Sequence, residues 1–123
     1  MKVKNDPRHL NRVKIMQTLF SHSFQKNTKP GKNSPESMIA QNLKAIDKLI
    51  EINAPSWPIQ QLAPVDLAIL RLATWELLYK GQKEPYKVIV DEAVEIAKEY
   101  GTDNSPSFIN GVLGSIIETK LKS

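Results

Sequence analysis

The chain has no cysteine, which excludes disulfides and cysteine-based zinc sites and is compatible with a reducing compartment. Its two histidines, His9 and His22, are too few to build a metal cluster around histidine, and the carboxylates show no calcium-loop spacing. No apolar run approaches the ~18 residues that a membrane span needs. The basic start (MKVKNDPRHLNR) has no apolar stretch of the signal-peptide kind, so the expected location is cytoplasmic and no membrane partner is expected. Also absent are a Gly-rich phosphate loop, a Ser/His/Asp spacing and a recognisable acid/base pair of carboxylates. Together these absences favour a binding protein over an enzyme, and no cofactor is expected.

What remains is a helical chain of 123 residues, read as one domain over 1–123 with an N-terminal helical half at about 1–62 and a C-terminal half at about 63–123. A chain of this size buries roughly two thirds of its unfolded surface and needs no staples. The net charge of +4 is unevenly spread. Residues 1–62 hold ten Lys/Arg against four Asp/Glu, and residues 63–123 hold seven against nine. Within residues 1–32, eight basic groups face Asp6 alone. Like charges gathered at one end repel, so folding gives no reason for the cluster, whereas a polyanion would be drawn to it. A merely solubilising tail is the other reading.

Asp6-Pro7 reads as the N-cap and first residue of a helix that runs to about Phe24, with Leu10, Val13, Met16, Phe20 and Phe24 as its core stripe. Arg8 and Arg12, one turn apart, are expected to project together at the helix start, where two cations oppose the macrodipole and an anionic ligand would relieve the conflict. Residues 25–35 (QKNTKPGKNSP) read as a loop. Ser34-Pro35 opens a second helix with the stripe Ile39, Leu43, Ile46 and Ile50, ending at Asn53-Ala54-Pro55; Trp57-Pro58 starts a short turn.

Pro64 opens a third long helix that is apolar on all sides, and therefore central and buried, with Gly81 as its C-terminal cap. Arg71 inside it is expected to be a paired core arginine, stacked on Trp75 and held by a carboxylate from elsewhere. A fourth helix covers about Val88 to Tyr100, with Tyr100 facing inward and Gly101 as cap. Its Asp91, Glu92, Glu95 and Glu99 form a ridge that reads as a solvated face or as a surface for a basic partner. Ser105-Pro106 opens the last helix. Gly111, Gly114 and Ser115 form a smooth strip there for close approach of another backbone, since each internal glycine costs ~1 kcal/mol relative to alanine. Phe108 is either a core residue or a flat surface for a stacked base.

The phrases VDLAILRLATWEL, PYKVIVDEAVEIAKEYG and SFINGVLG, in order from Trp57 to Gly114, resemble the NusB family of bacterial transcription antitermination factors. The first helix adds weaker agreement through Arg8, Arg12, Gln17, Leu19 and Phe20. The resemblance implies an all-α fold of two small packed helix bundles. It implies binding of boxA-type single-stranded RNA in nascent ribosomal RNA leaders, and a heterodimer with NusE, a small-subunit ribosomal protein. The pair would nucleate an antitermination complex on RNA polymerase, promoting rRNA transcription and maturation.

By matched position, the resemblance gives Arg8 and Arg12 as RNA contacts, with Lys4 and Lys14 as supplements, and Asn104 and Phe108 as the RNA-facing edge. Asp66 and Glu76 match acidic positions near the RNA and partner surfaces, Glu76 being the expected NusE contact. A cationic helix end tracking phosphates and an aromatic stacking a base agree with the physical reading.

Two features depart from the family pattern. The segment between the first helix and Met38 is shorter by about one helix, which puts RNA or oligomer surfaces built there in doubt. Val13 replaces the acidic residue usual after the second arginine, which should strengthen the cationic end. The other reading is a protein–protein adaptor with weak or lost RNA binding. An enzyme resembling the related domains that precede rRNA cytosine methyltransferases would need a cofactor domain and a nucleophilic cysteine. A helix-turn-helix DNA binder lacks a short helix pair with exposed base-reading side chains. Monomer against homodimer stays open.

Overall fold

A computed structural model describes residues 6–24, 34–54, 56–81 and 84–121, with the side chains of 22–24 outside the description. Every regular element among them is helical: α1 (Pro7–Phe24), α2 (Pro35–Gln41), α3 (Leu43–Asn53), a 3-10 turn (Ile59–Gln61), α4 (Pro64–Leu78), α5 (Tyr86–Tyr100) and α6 (Ser105–Lys120). The fold is all-α, as expected.

Local chemistry sets most of the boundaries. The Asp6 carboxylate accepts from the Arg8 N–H at 2.8 Å, and this bond holds its carboxyl below the ordinary carboxylate value. The Ser34 hydroxyl accepts from the Ser37 N–H, and Pro35 supplies a preset φ at the next position. The single helix expected over 35–53 is two helices broken at Asn42. There the Asn42 amide donates to the Met38 carbonyl and its backbone N–H to the Ile39 carbonyl, an alternative to the helical ladder that asparagine offers and most residues do not. Past the end of α4 the chain turns through Gly81 at φ +80°, the left-handed region open to glycine.

Helix α4 is the axis. Asp66 through Glu76 are buried except Arg71, because α1, α2, α3, α5 and α6 all pack on α4. The fully buried Ile39, Ile46, Ile50, Ile69, Leu70, Ile96, Ile109, Leu113 and Ile116 join these helices in one core. Each such side chain contributes roughly 1.5–3 kcal/mol relative to exposure. Arg71 pairs with the Asp47 carboxylate of α3 through two bonds of 2.9 and 2.8 Å, as a paired core arginine should. The cation against the Trp75 ring, however, is Lys80, 5.8 Å from its centre.

Two members of the expected core face out: Leu10 is 50% exposed and Tyr100 is also exposed. In α1 the buried face turns instead through His9, Arg12, Val13, Ile15 and Met16. Val13 lies in the core, so this position packs the helix and does not belong to its exposed cationic end.

Gly101 has φ −93°, so its role is not left-handed capping. A Cβ there would lie 2.5 Å from the Ser105 Oγ and 2.6 Å from its Cβ. The missing side chain lets α5 and α6 meet at a tight corner, where the Ser105 hydroxyl accepts from the Thr102 N–H. By contrast, a Cβ at Gly111 or Gly114 would meet nothing within 4 Å. The strip expected to admit another backbone of this chain is open, although Ser115 does bond α3 by donating to Asn53 Oδ1 at 2.6 Å.

Candidate nucleic-acid interface

The charged residues singled out from the sequence separate into two structural groups. The first is a buried ion network joining α1, α4 and α5. Arg12 is only 6% exposed. Its Nε reaches both Glu76 oxygens at 3.0 and 3.1 Å, its Nη2 lies 2.8 Å from Glu84, and its Nη1 lies 3.5 Å from Glu92. Burial alone would disfavour the guanidinium charge. The carboxylates of Glu76 and Glu84 more than offset that cost and hold the group above its ordinary value. Beside it, buried His9 contacts Glu92 at 3.2 Å and Glu99 at 2.7 Å. Lys80 adds a 3.5 Å contact to Glu76.

This network refines several expectations. Arg8 and Arg12 border one groove, but the Arg8 side chain is 78% exposed whereas Arg12 is buried among carboxylates. Glu76 is buried against Arg12 at the wall of a groove. The acidic ridge of α5 is solvated only in part, since Glu92 is buried and Glu99 faces His9. His9, set aside as too sparse for a metal site, is a structural pin between α1 and α5.

The second group surrounds an open cavity of about 240 Å³ where α4 and α6 begin. Asp66, Asn104 and Phe108 all line it, joined by Trp57, Gln61, Thr102 and Ser105. The sequence reading therefore named three residues, far apart in the chain, that folding brings to one place. Phe108 is half-buried, between its two expected roles: part of the ring packs on the core and part remains on the surface. Asn104 is exposed and makes no cap bond to α6, which leaves its amide available. A second cavity of about 310 Å³ shares Trp57 and Phe108 and extends across Ser107 and Gly111.

Trp57 is 52% exposed, and its sequence context gave it only as the start of a turn. An exposed tryptophan in a proline-flanked turn was the one signal available for it. Lys14 is exposed on α1, and Lys4 lies outside the described residues. A larger groove, about 540 Å³, is lined by Arg8 and Asn11 together with Arg12, Glu76, Lys80 and Glu84, so the edge of the ion network borders it.

The NusB family model matches residues 37–118, two thirds of the chain. The chain belongs to the NusB family. A relative in Alkaliphilus oremlandii, named transcription antitermination protein NusB, is 40% identical over 96% of this chain and 83% of its own length. Another of the same name in Roseiflexus castenholzii is 53% identical, but that match spans 58% of this chain and about half of the relative. Among solved structures, T. maritima NusB superposes with a TM-score of 0.82 at 34% identity, over 96% of this chain and 93% of that one. A structure described as a plectonemic RNA supercoil contains a chain with the same fold, at a TM-score of 0.80 and 23% identity over 94% of this chain and 97% of that one. NusB membership accords with the all-α architecture. Among the described residues no helix is long and apolar enough to cross a membrane.

Proposed function

We propose that this NusB-family chain is a cytoplasmic, non-enzymatic transcription antitermination factor that binds boxA-type single-stranded RNA together with NusE and promotes rRNA transcription and maturation within the RNA polymerase complex. The observation that carries the RNA reading is the joining of Asp66, Asn104 and Phe108 around one open cavity, beside an exposed Trp57. A half-exposed aromatic with an adjacent free amide is the equipment that single-stranded RNA recognition uses: a ring to stack a base and a polar group for its edge.

Phosphate contact falls to the exposed cations. Arg8 and Lys14 supply it from α1, with Lys4 ahead of them. Arg12 acts at one remove, fixing α1 against α4 and α5 so that Arg8 keeps its place. Glu76 has the matching structural role, and contact with NusE is assigned to the face around it and not to its buried carboxylate.

The test is fluorescence anisotropy of a labelled boxA-type RNA with this protein, alone and with NusE, beside a scrambled RNA and at two salt concentrations. Selective binding that NusE strengthens is the expected result. Binding to NusE without selective RNA binding would instead make the chain an adaptor.

A further inference from the structure

Asp66 Oδ1 is buried and receives no hydrogen bond among the described residues, and its residue is only 9% exposed. Its place in the first turn of α4 gives its charge a favourable helix end. That benefit is small and does not account for a buried carboxylate oxygen without a donor, which is the costlier condition. The group lines the 240 Å³ cavity, which is roomy enough for one nucleobase, and the exposed Trp57 and Gln61 are the lining side chains that a ligand can displace.

A carboxylate in an RNA site is unfavourable toward phosphates, so its presence calls for donors on the base itself. Carboxylate oxygens only accept. Guanine is the base that presents two adjacent donors, N1–H and the N2 amino group. Adenine and cytosine place a ring-nitrogen acceptor beside their single amino group, and uracil flanks its N3–H with two carbonyls. Each of those edges would set a lone pair against a carboxylate oxygen.

We propose that this cavity reads one unpaired guanine, whose N1–H and N2–H edge donates to the Asp66 carboxylate while Trp57 and Phe108 flank the ring. The proposal rests on the RNA-binding reading above and specifies the base. The adjoining cavity shares Trp57 and Phe108 and runs over the open backbone at Gly111, so the neighbouring nucleotide continues along the same wall. A strand fits this arrangement better than a free nucleotide.

The experiment uses oligouridine carrying a single central guanine, and the same RNA with inosine, 2-aminopurine or adenine at that position. Anisotropy and quenching of tryptophan emission, the latter compared with a Trp57→Phe protein that keeps Trp75, are the readouts. The wild type should bind the guanine RNA ~10-fold more tightly than the adenine RNA, with inosine between them because it keeps N1–H and loses the N2 amino group. In Asp66→Asn the preference should shrink to about 2-fold, because the amide offers one acceptor where the carboxylate offered two. Equal binding of guanine and adenine by the wild type overturns the proposal, as does full discrimination by a folded Asp66→Asn protein. If that variant does not fold, the wild-type series with inosine decides alone. RNA binding without base preference rejects only the guanine pocket, whereas no binding to any of these RNAs or to boxA-type RNA rejects the RNA reading itself. Guanosine monophosphate binding as tightly as the oligonucleotide would reject the strand and leave a mononucleotide site.

Discussion

The Arg12 network and the Asp66 cavity are built from the same side-chain types on the same central helix, yet they end in opposite states. Around Arg12, four carboxylates, a histidine and a lysine satisfy one another inside the protein. Around Asp66, a buried oxygen is left without a donor beside exposed aromatic and amide groups. A closed ion network holds helices in register, whereas an open one asks for something outside. Arg12, expected to meet RNA, is held by carboxylates from α4 and α5, and the residue with an unsatisfied buried oxygen carries a negative charge.

The strongest way to break this contrast is Arg12→Ala. It removes the guanidinium that Glu76, Glu84 and Glu92 share, and the expected loss is about 3–5 kcal/mol of folding stability, read by denaturant unfolding. The RNA affinity of the folded fraction should stay near wild type. A stable variant with collapsed RNA affinity would return Arg12 to the interface. Phe108→Ala is the converse. It should cost ~1–3 kcal/mol of RNA affinity in a binding titration if a base stacks there. A loss confined to thermal stability would make the ring purely core.

Gly101→Ala tests the corner that sets Asn104 beside Asp66. The new methyl group must push aside Ser105, and the expected destabilisation is about 1–3 kcal/mol. An unchanged melting temperature would mean that the corner yields freely. Smallest is Gly114→Ala, where the added carbon meets nothing and helix propensity should raise stability by about 0.5–1 kcal/mol in urea unfolding. A loss there would reveal a constraint on α6 other than local packing.

Arg8→Ala bears on the number of phosphates neutralised more than on affinity at one condition. Its side chain is exposed and its ion pair to Asp6, at 3.5 Å, is weak. The slope of log affinity against log salt should therefore fall by about 0.7 with little change in stability.

The sequence determined what depends on neighbours along the chain. The Asp6-Pro7 and Ser34-Pro35 starts, the all-round apolar character of α4 and the carboxylate-paired Arg71 follow from spacing and local chemistry, and the structure has each of them. What escaped depends on partners far off. Arg12 meets Glu76 64 residues later, and His9 meets Glu99 90 residues later, so neither pairing has a periodicity to betray it. Leu10 fits the helical stripe by spacing, but the buried face of α1 is rotated toward Arg12 and Ile15 by that same network. Of the candidate site, Asn104, Phe108 and Asp66 were named through the NusB resemblance. Their convergence with Trp57 needed the fold, because the tight corner at Gly101 is what brings the start of α6 against the start of α4.

The contrast is tested most directly by titrating one labelled boxA-type RNA against wild type, Arg12→Ala and Phe108→Ala, with each protein's folded fraction measured in the same buffer. The account predicts that, per folded molecule, Arg12→Ala binds like wild type and Phe108→Ala binds at least several-fold more weakly. The reverse order would contradict it and move the interface to the buried end of α1.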